Sequence, residues 1–133
     1  MKNSKPNDFP FIKEKRHIYN KFVDKEIGSV ELGWATFTFE LHSDLHQDDQ
    51  KVDGVCCWDE RAIKLEMNLS DFDARETIIH EIYHCMLEGV GLDEKNFDQQ
   101  RMFVSNEQLV VALTKQTMLI QKLNPKLFAT IYA

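Results

Sequence analysis

The stretch TIIHEIYH, residues 77–84, carries two histidines, His80 and His84, four residues apart, with Glu81 directly after the first. On an α-helix four residues span just over one turn, so both imidazoles project from one face, close enough to bind the same metal ion. Glu81 lies about 100° further round the helix, where its carboxylate reaches a metal-activated water. The pattern HExxH therefore predicts a metal site with Glu81 as its general base.

The sequence around this stretch predicts the helix that the metal site requires. Ser70 with Asp73, or Asp73 with Glu76, has the spacing of an N-terminal cap, and two glycines end the helix after about Leu87. The competing interpretation is a helix whose two histidines merely face solvent or the core. The mid-helix position of the motif and the alternating strand that leads into the helix favour the metal site.

A catalytic zinc ion has three protein ligands and one open position, so the pattern requires a third ligand. The best candidate is Glu107, with 22 residues between it and His84, at the start of a predicted third helix from about Asn106 to Leu123. Polar residues and glycines between the helices allow the third helix to return antiparallel to the second. Asp98 and Asp93 are the reserve candidates.

The surroundings of Glu107 favour the ligand interpretation. At about 100° per residue, Glu107 shares its side of the helix with Val110, Val111, Thr114 and Met118. A carboxylate on a largely apolar face is unfavourable unless it is paired or bound to a metal. The alternative is that Glu107 only stabilises the positive end of the helix dipole.

The flanking segments predict an α+β fold in a single domain, residues 1–133, whose first eight residues are frayed. Apolar spacings of three and four predict a first amphipathic helix within residues 11–27. Alternation predicts one bulged strand over residues 30–41, a short strand at 55–58, and a half-buried strand with one wet face at 63–69. Together these segments predict a small antiparallel sheet of about three strands.

Composition limits the classes of function. The 22 acidic and 16 basic residues give a net charge of -6, which disfavours binding to nucleic acid. The sequence contains no apolar run long enough to span a membrane and no signal-peptide pattern in its first thirty residues. Cys56, Cys57 and Cys85 lack the spacing of a disulfide framework, so we expect reduced thiols and a cytoplasmic location.

A second histidine pair, His42 and His46, has the same four-residue spacing amid acidic residues. The segment follows a predicted strand and has the polar composition of a loop. Four-residue spacing does not align side chains outside a helix, so we expect a solvated acidic loop and no second metal site.

The sequence at residues 77–84, followed by a glutamate at the start of a later helix, resembles the gluzincin branch of zinc metallopeptidases. In particular it resembles the small single-domain zincin-like peptidases of phages and bacteria, related in outline to the ImmA/IrrE and SprT-like groups. The resemblance covers roughly residues 30–123. It implies an N-terminal helix, a short sheet, the HExxH helix and a ligand-bearing helix, with His80, His84 and Glu107 as zinc ligands and Glu81 as general base.

The resemblance also implies a function, a zinc-dependent peptidase that hydrolyses a peptide bond in an intracellular protein substrate. In zincins an extended peptide pairs with the edge strand that precedes the motif helix, here the predicted strand Ala62–Leu69. The alternative is a zincin-shaped binding or regulatory module with a structural zinc and no hydrolysis. Glu81 separates the two, because a structural site needs no general base.

Overall fold

The computed structural model describes residues 16–23, 27–91 and 106–133, and in these ranges the chain has the predicted α+β composition. Four helices and six strands follow one another in these ranges. Their bounds are α1 (Tyr19–Val23), β1 (Ser29–Glu31), β2 (Thr36–His42), β3 (His46–Gln47), β4 (Gln50–Lys51), β5 (Gly54–Cys57), β6 (Ala62–Glu66), α2 (Asp71–Gly89), α3 (Asn106–Leu123) and α4 (Pro125–Ile131).

The main sheet has four strands in the order β1-β2-β6-β5, and β3 pairs with β4 as a separate small hairpin. The prediction of an antiparallel sheet of about three strands was wrong, because β2 and β6 run parallel. The cause is the connection between them. It contains the β3–β4 hairpin and β5, so the chain re-enters the sheet at β6 in the direction of β2, and β5 pairs antiparallel on its outer side.

The predicted bulged strand at residues 30–41 is two strands, β1 and β2, which pair antiparallel with Val30 opposite Phe37. Gly33 has a φ of 98°, a conformation that side chains disfavour, and it allows the chain to reverse. The Glu31 carboxylate accepts hydrogen bonds from the Gly33 N–H and the Thr36 hydroxyl across the turn. Both strands bury alternate residues in one core, so their apolar pattern resembles that of one strand.

One face of the sheet carries the core. Phe37, Phe39 and Leu41 of β2 are buried, while the residues between them are exposed or half-buried. Helix α1 packs on this face, where Phe22 stacks on Phe39 with ring centroids 5.2 Å apart. Strand β6 lies between β2 and β5, and four of its five residues are buried, so the predicted wet face of this strand was wrong.

Helix α1 covers Tyr19–Val23 of the predicted segment, and residues 11–15 and 24–26 of that segment lie outside the described residues. Residues 16–18 form a turn, in which the His17 imidazole accepts a hydrogen bond from the Tyr19 N–H (3.2 Å) and the Asp71 carboxylate accepts one from the Ile18 N–H (2.7 Å). These side chains accept hydrogen bonds from backbone N–H groups that have no partner within the first turn of the helix. The predicted fraying of residues 1–8 lies outside the described residues.

The second half of the chain follows the prediction closely. Ser70 caps α2, because its hydroxyl accepts a hydrogen bond from the Asp73 N–H (3.1 Å). Helix α3 has the predicted bounds, and Asn124 follows it. The Asn124 side chain bonds both backbone groups of Glu31, at 2.8 and 2.7 Å, and so ties the α3–α4 junction to the edge strand β1. None of the helices in the described ranges combines the length and apolar character needed to cross a bilayer.

Candidate metal centre

Helix α2 brings His80 and His84 together as the sequence predicts. Their Nε2 atoms are 3.1 Å apart and their ring centroids 4.8 Å apart. Both residues are exposed, whereas Ile78 and Ile82 on the other side of the helix are buried in the core. The amphipathic pattern therefore anchors the helix by its apolar face and leaves the two imidazoles open to solvent.

The distance between the two imidazole nitrogens fits a shared metal ion. A tetrahedral zinc ion with nitrogen ligands at about 2.0–2.1 Å places two such nitrogens about 3.3 Å apart. Among the described residues, the only group of three or more metal-ligating side chains is His80, Glu81 and His84, whose ligand atoms lie within 4.8 Å of one another. The donor set of two imidazoles and a carboxylate suits zinc.

Glu81 is a buried acid, with only 6% of its surface exposed. It packs against β5, where a Cβ atom on Gly54 would lie 2.8 Å from the Glu81 Cγ, closer than real contacts allow. The Cys56 backbone N–H lies near enough to the Glu81 carboxyl to lower its pKa. A carboxylate oxygen of Glu81 lies 3.9 Å from the His80 Nε2, so the acid stands directly beside the histidine pair.

Burial raises the pKa of Glu81 above its ordinary value. The nearby imidazoles of His84 and His80 and the Cys56 N–H act in the opposite direction and lower this pKa, but desolvation outweighs them. The carboxylate is thus held in an environment that makes it a stronger proton acceptor than an exposed glutamate.

Strand β5 forms the sheet edge next to the histidine pair, and the prediction that the strand at Ala62–Leu69 is this edge was wrong. The Asp53 carbonyl accepts a hydrogen bond from the Glu66 N–H (2.7 Å), so residues 53, 55 and 57 direct their backbone groups towards β6. Gly54 and Cys56, between them, direct theirs away from β6.

The structure does not bring Glu107 to the histidines. Glu107 lies in the first turn of α3, exposed, and does not belong to the group of ligating side chains. Its predicted apolar face is also exposed, with Met118 at 68%, because α3 packs through the opposite side, which includes the buried Ile120. The reserve candidates Asp98 and Asp93 lie outside the described residues, so the third ligand stays a prediction.

The second histidine pair forms no such site. The His42 Nε2 lies 2.9 Å from a Glu40 carboxylate oxygen, and the His46 Nδ1 lies 2.9 Å from the Asp44 carbonyl oxygen. His42 ends β2 and His46 begins β3, and both are held by their own neighbours.

A disulfide joins Cys56 of β5 to Cys85 of α2, with Cα atoms 6.2 Å apart, so the expectation of three reduced thiols was wrong. Cys57 is the free cysteine. Sequence analysis missed the pairing because it depends on packing between a strand and a helix 29 residues later. A usable signal was present, since Cys85 lies on the buried face of α2 and Cys56 and Cys57 point to opposite faces of β5.

Comparisons with known proteins give no independent assignment. A scan against protein-family models finds no match, and searches of curated proteins and of solved structures find none either. The assignment of a function therefore depends on the geometry around His80, Glu81 and His84.

Proposed function

We propose that this chain is a zinc-dependent peptidase of the zincin-like HExxH type, acting on a peptide bond in an intracellular protein. One observation carries the proposal. Two imidazole nitrogens at 3.1 Å, the spacing of ligands on one metal ion, lie directly beside a buried carboxylate whose ion-pair partner in the described part of the chain is His80.

The predicted ligands of the zinc are His80 and His84, with Glu107, Asp93 or Asp98 as the third. The exposure of both histidines favours a catalytic site, which keeps one position open, over a structural site, which is closed by four ligands. When bound, zinc supplies Lewis-acid chemistry, lowering the pKa of a water molecule and polarising a carbonyl.

Glu81 is the proposed general base. Its carboxylate accepts a proton from the attacking water and later donates that proton to the leaving amine. The carboxylate of Glu81 is buried, and a buried carboxylate is unfavourable in a protein without a compensating role. This unfavourable burial supports the catalytic interpretation over a binding module, which needs no acid beside its metal.

An extended peptide is the substrate form that the surroundings favour. The edge strand β5 runs beside the site, and the carbonyls of Gly54 and Cys56 face away from β6, where the main chain of a substrate can bind. Recognition through main-chain bonds fits cleavage in an extended protein segment.

The test is the variant Glu81→Gln, with Glu76→Gln as a matched control because it makes the same change at an exposed position on the same helix. Hydrolysis is followed by mass spectrometry on a proteome-derived peptide library, and zinc by elemental analysis. We expect Glu81→Gln to retain zinc and fold while its rate falls about 100-fold or more, the usual contribution of a general base. The control retains both properties.

Three outcomes would contradict the proposal. Full activity in Glu81→Gln would remove Glu81 from the mechanism, and loss of zinc from this variant would make Glu81 a ligand and not the base. A wild-type protein that binds zinc but cleaves no peptide would favour the alternative, a zincin-shaped binding module.

A further inference from the structure

We infer that the exposed face of α3 binds a second copy of this chain, with the two α3 helices antiparallel about a two-fold axis. The face is a single row of side chains, which we call the α3 stripe: Glu107, Val111, Thr114, Met118 and Lys122. The inference concerns a different surface from the histidine pair, and it does not depend on the proposed function.

The beginning of α3 is exposed on every side. All five residues from 107 to 111 are exposed, including the aliphatic Leu109, Val110 and Val111, whereas Ile120 in the second half of the helix is buried. Helical turns without tertiary packing are marginal in water, and valine lowers the helix propensity further. The beginning of α3 therefore gains stability when its apolar side chains pack against another surface.

The α3 stripe has the spacing of a helix–helix contact. At about 100° per residue its five members fall within a sector of about 80°, at successive intervals of four, three, four and four residues. All five side chains are exposed. The centre is uncharged, with Val111 and Met118 on either side of Thr114, and the two ends, Glu107 and Lys122, carry opposite charges. The stripe is thus an apolar contact surface with one charged group at each end.

The α3 stripe is complementary to itself. The midpoint between positions 107 and 122 coincides with the midpoint between positions 111 and 118, directly after Thr114. Two copies of α3 that lie antiparallel about a two-fold axis at this point bring Glu107 opposite the partner's Lys122. Val111 then lies opposite the partner's Met118, and the symmetry repeats each contact. A second copy of the stripe therefore matches both its charges and its apolar side chains.

The charge distribution also favours this surface for self-association. The chain has a net charge of -6, so two copies repel each other in most orientations. The α3 stripe carries one acidic and one basic residue, and its charge is therefore balanced. Lys115 lies at the edge of the stripe, where its long side chain keeps the ammonium group in solvent. Repulsion between two copies is consequently reduced where the two stripes meet.

The dimer expected from this contact is weak and reversible, because one helix from each copy buries only a small area. The antiparallel order places opposite ends of the two helix dipoles side by side, which adds to the attraction between the end charges. In this arrangement Glu107 is a surface charge paired with the partner's Lys122. The pairing leaves Asp93 and Asp98 as the candidates for the third ligand of the proposed zinc site.

The first test is sedimentation equilibrium of the full chain over a concentration series from about 5 to about 500 μM. Each sample is run with an equivalent of zinc and with EDTA, because zinc can also bridge the exposed His80 and His84 of two copies. We expect the average mass to rise from 15.6 kDa towards twice that value in both conditions. The expected dissociation constant is on the order of 10–100 μM, that of a weak, transient contact.

Charge reversal then tests the pairing itself. Glu107→Lys places like charges at both ends of the contact and should raise the dissociation constant about tenfold or more, as should Met118→Glu, which puts a charge in the apolar centre. The double variant Glu107→Lys/Lys122→Glu exchanges the two charges and should return to within about threefold of the wild type. Lys51→Glu, on the exposed strand β4, is the matched control for the change in net charge. Far-UV circular dichroism checks the fold of each variant.

A mass equal to one chain at every concentration would overturn the inference and leave the stripe to a partner of another kind. Dimers that form only with zinc would place the contact at the histidine pair instead. Dimerisation of Met118→Glu as strong as that of the wild type would exclude the stripe, and a double variant that stays monomeric would refute the antiparallel pairing. None of these measurements uses a peptide substrate, so their outcome is separate from that of the proposed peptidase.

Discussion

Two histidine pairs in this molecule have the same spacing of four residues and opposite outcomes. On α2, His80 and His84 bring their Nε2 atoms to 3.1 Å and share an exposed face. Between β2 and β3, His42 and His46 turn to separate partners, the Glu40 carboxylate and the Asp44 carbonyl. The spacing has chemical meaning only where the backbone is helical, because 3.6 residues per turn place residues four apart on one face.

The turn between the second pair explains its separation. Asp44 adopts a φ of 56°, in the left-handed region, as the chain leaves β2 and enters β3. The acidic residues nearby do not complete a metal site with these histidines, since the described residues hold no group of three ligating side chains there.

The largest expected effect is a difference in zinc affinity between two variants, each of which removes one histidine from one of the pairs. His84→Ala should lower zinc affinity about 100-fold or more, because each ligand carries a large share of the free energy of metal binding. His46→Ala should leave zinc affinity within about twofold, because it lies outside the predicted site. Isothermal titration with zinc measures both variants. Equal losses in the two variants would show that helical geometry does not decide which pair binds metal.

Two glutamates are buried in the described part of the chain, and they sharpen the same contrast between a functional and a structural position. Glu66, with 2% of its surface exposed, accepts hydrogen bonds from the Leu45 N–H (2.9 Å) and the Asn68 N–H (2.8 Å). Glu66→Gln places an amide donor against a backbone donor and should lower the free energy of unfolding by about 2–3 kcal/mol.

Glu81→Gln should not lower the free energy of unfolding, because it removes a charge that burial disfavours. Urea denaturation of metal-free protein compares the two variants directly. A loss in Glu81→Gln as large as that in Glu66→Gln would assign both acids a structural role and weaken the case for a base.

A smaller effect is expected from the contact between β5 and α2. Gly54→Ala places a Cβ atom 2.8 Å from side-chain atoms of both Glu81 and Thr77, and relieving this overlap should lower the free energy of unfolding by about 1–2 kcal/mol. Gly28→Ala is the matched control, since no atom lies within 4 Å of its added Cβ. Thermal denaturation checks both. A Gly54→Ala protein as stable as the Gly28→Ala protein would show that the strand and helix are not in close contact.

The smallest effect is expected at the start of α2. Ser70→Ala removes the cap on the Asp73 N–H and should lower the free energy of unfolding by about 1 kcal/mol. Zinc affinity should stay the same, because the cap lies more than two helical turns before His80. A large loss of zinc affinity in this variant would mean that the histidine geometry depends on the helix end.

Local signals predicted most of the helical half of the chain. Three local features predicted the bounds of α2 and α3 to within a residue or two. They are the cap at Ser70, the apolar spacing of α2 and the Asn-Pro pair after Leu123. The spacing of His80 and His84 likewise required nothing beyond the helix itself. These features depend on residues within one or two turns of each other.

Features that depend on distant parts of the chain were not predicted. Alternation located the strands but did not reveal that β2 and β6 are parallel or that residues 30–41 form a hairpin, since both pairings place the same residues in the core. The apolar face assigned to α3 beside Glu107 is exposed, because tertiary packing selected the side that carries Ile120. The Cys56–Cys85 disulfide is a long-range contact of the same kind.

The most direct test of the central claim is the metal content of untagged protein purified without added metal, measured by elemental mass spectrometry. The proposed site requires about one zinc per chain in the wild type and a clear loss in His84→Ala. A wild-type protein that contains no metal, and takes up none on titration, would contradict the account and leave HEIYH at residues 80–84 as a pattern without a metal.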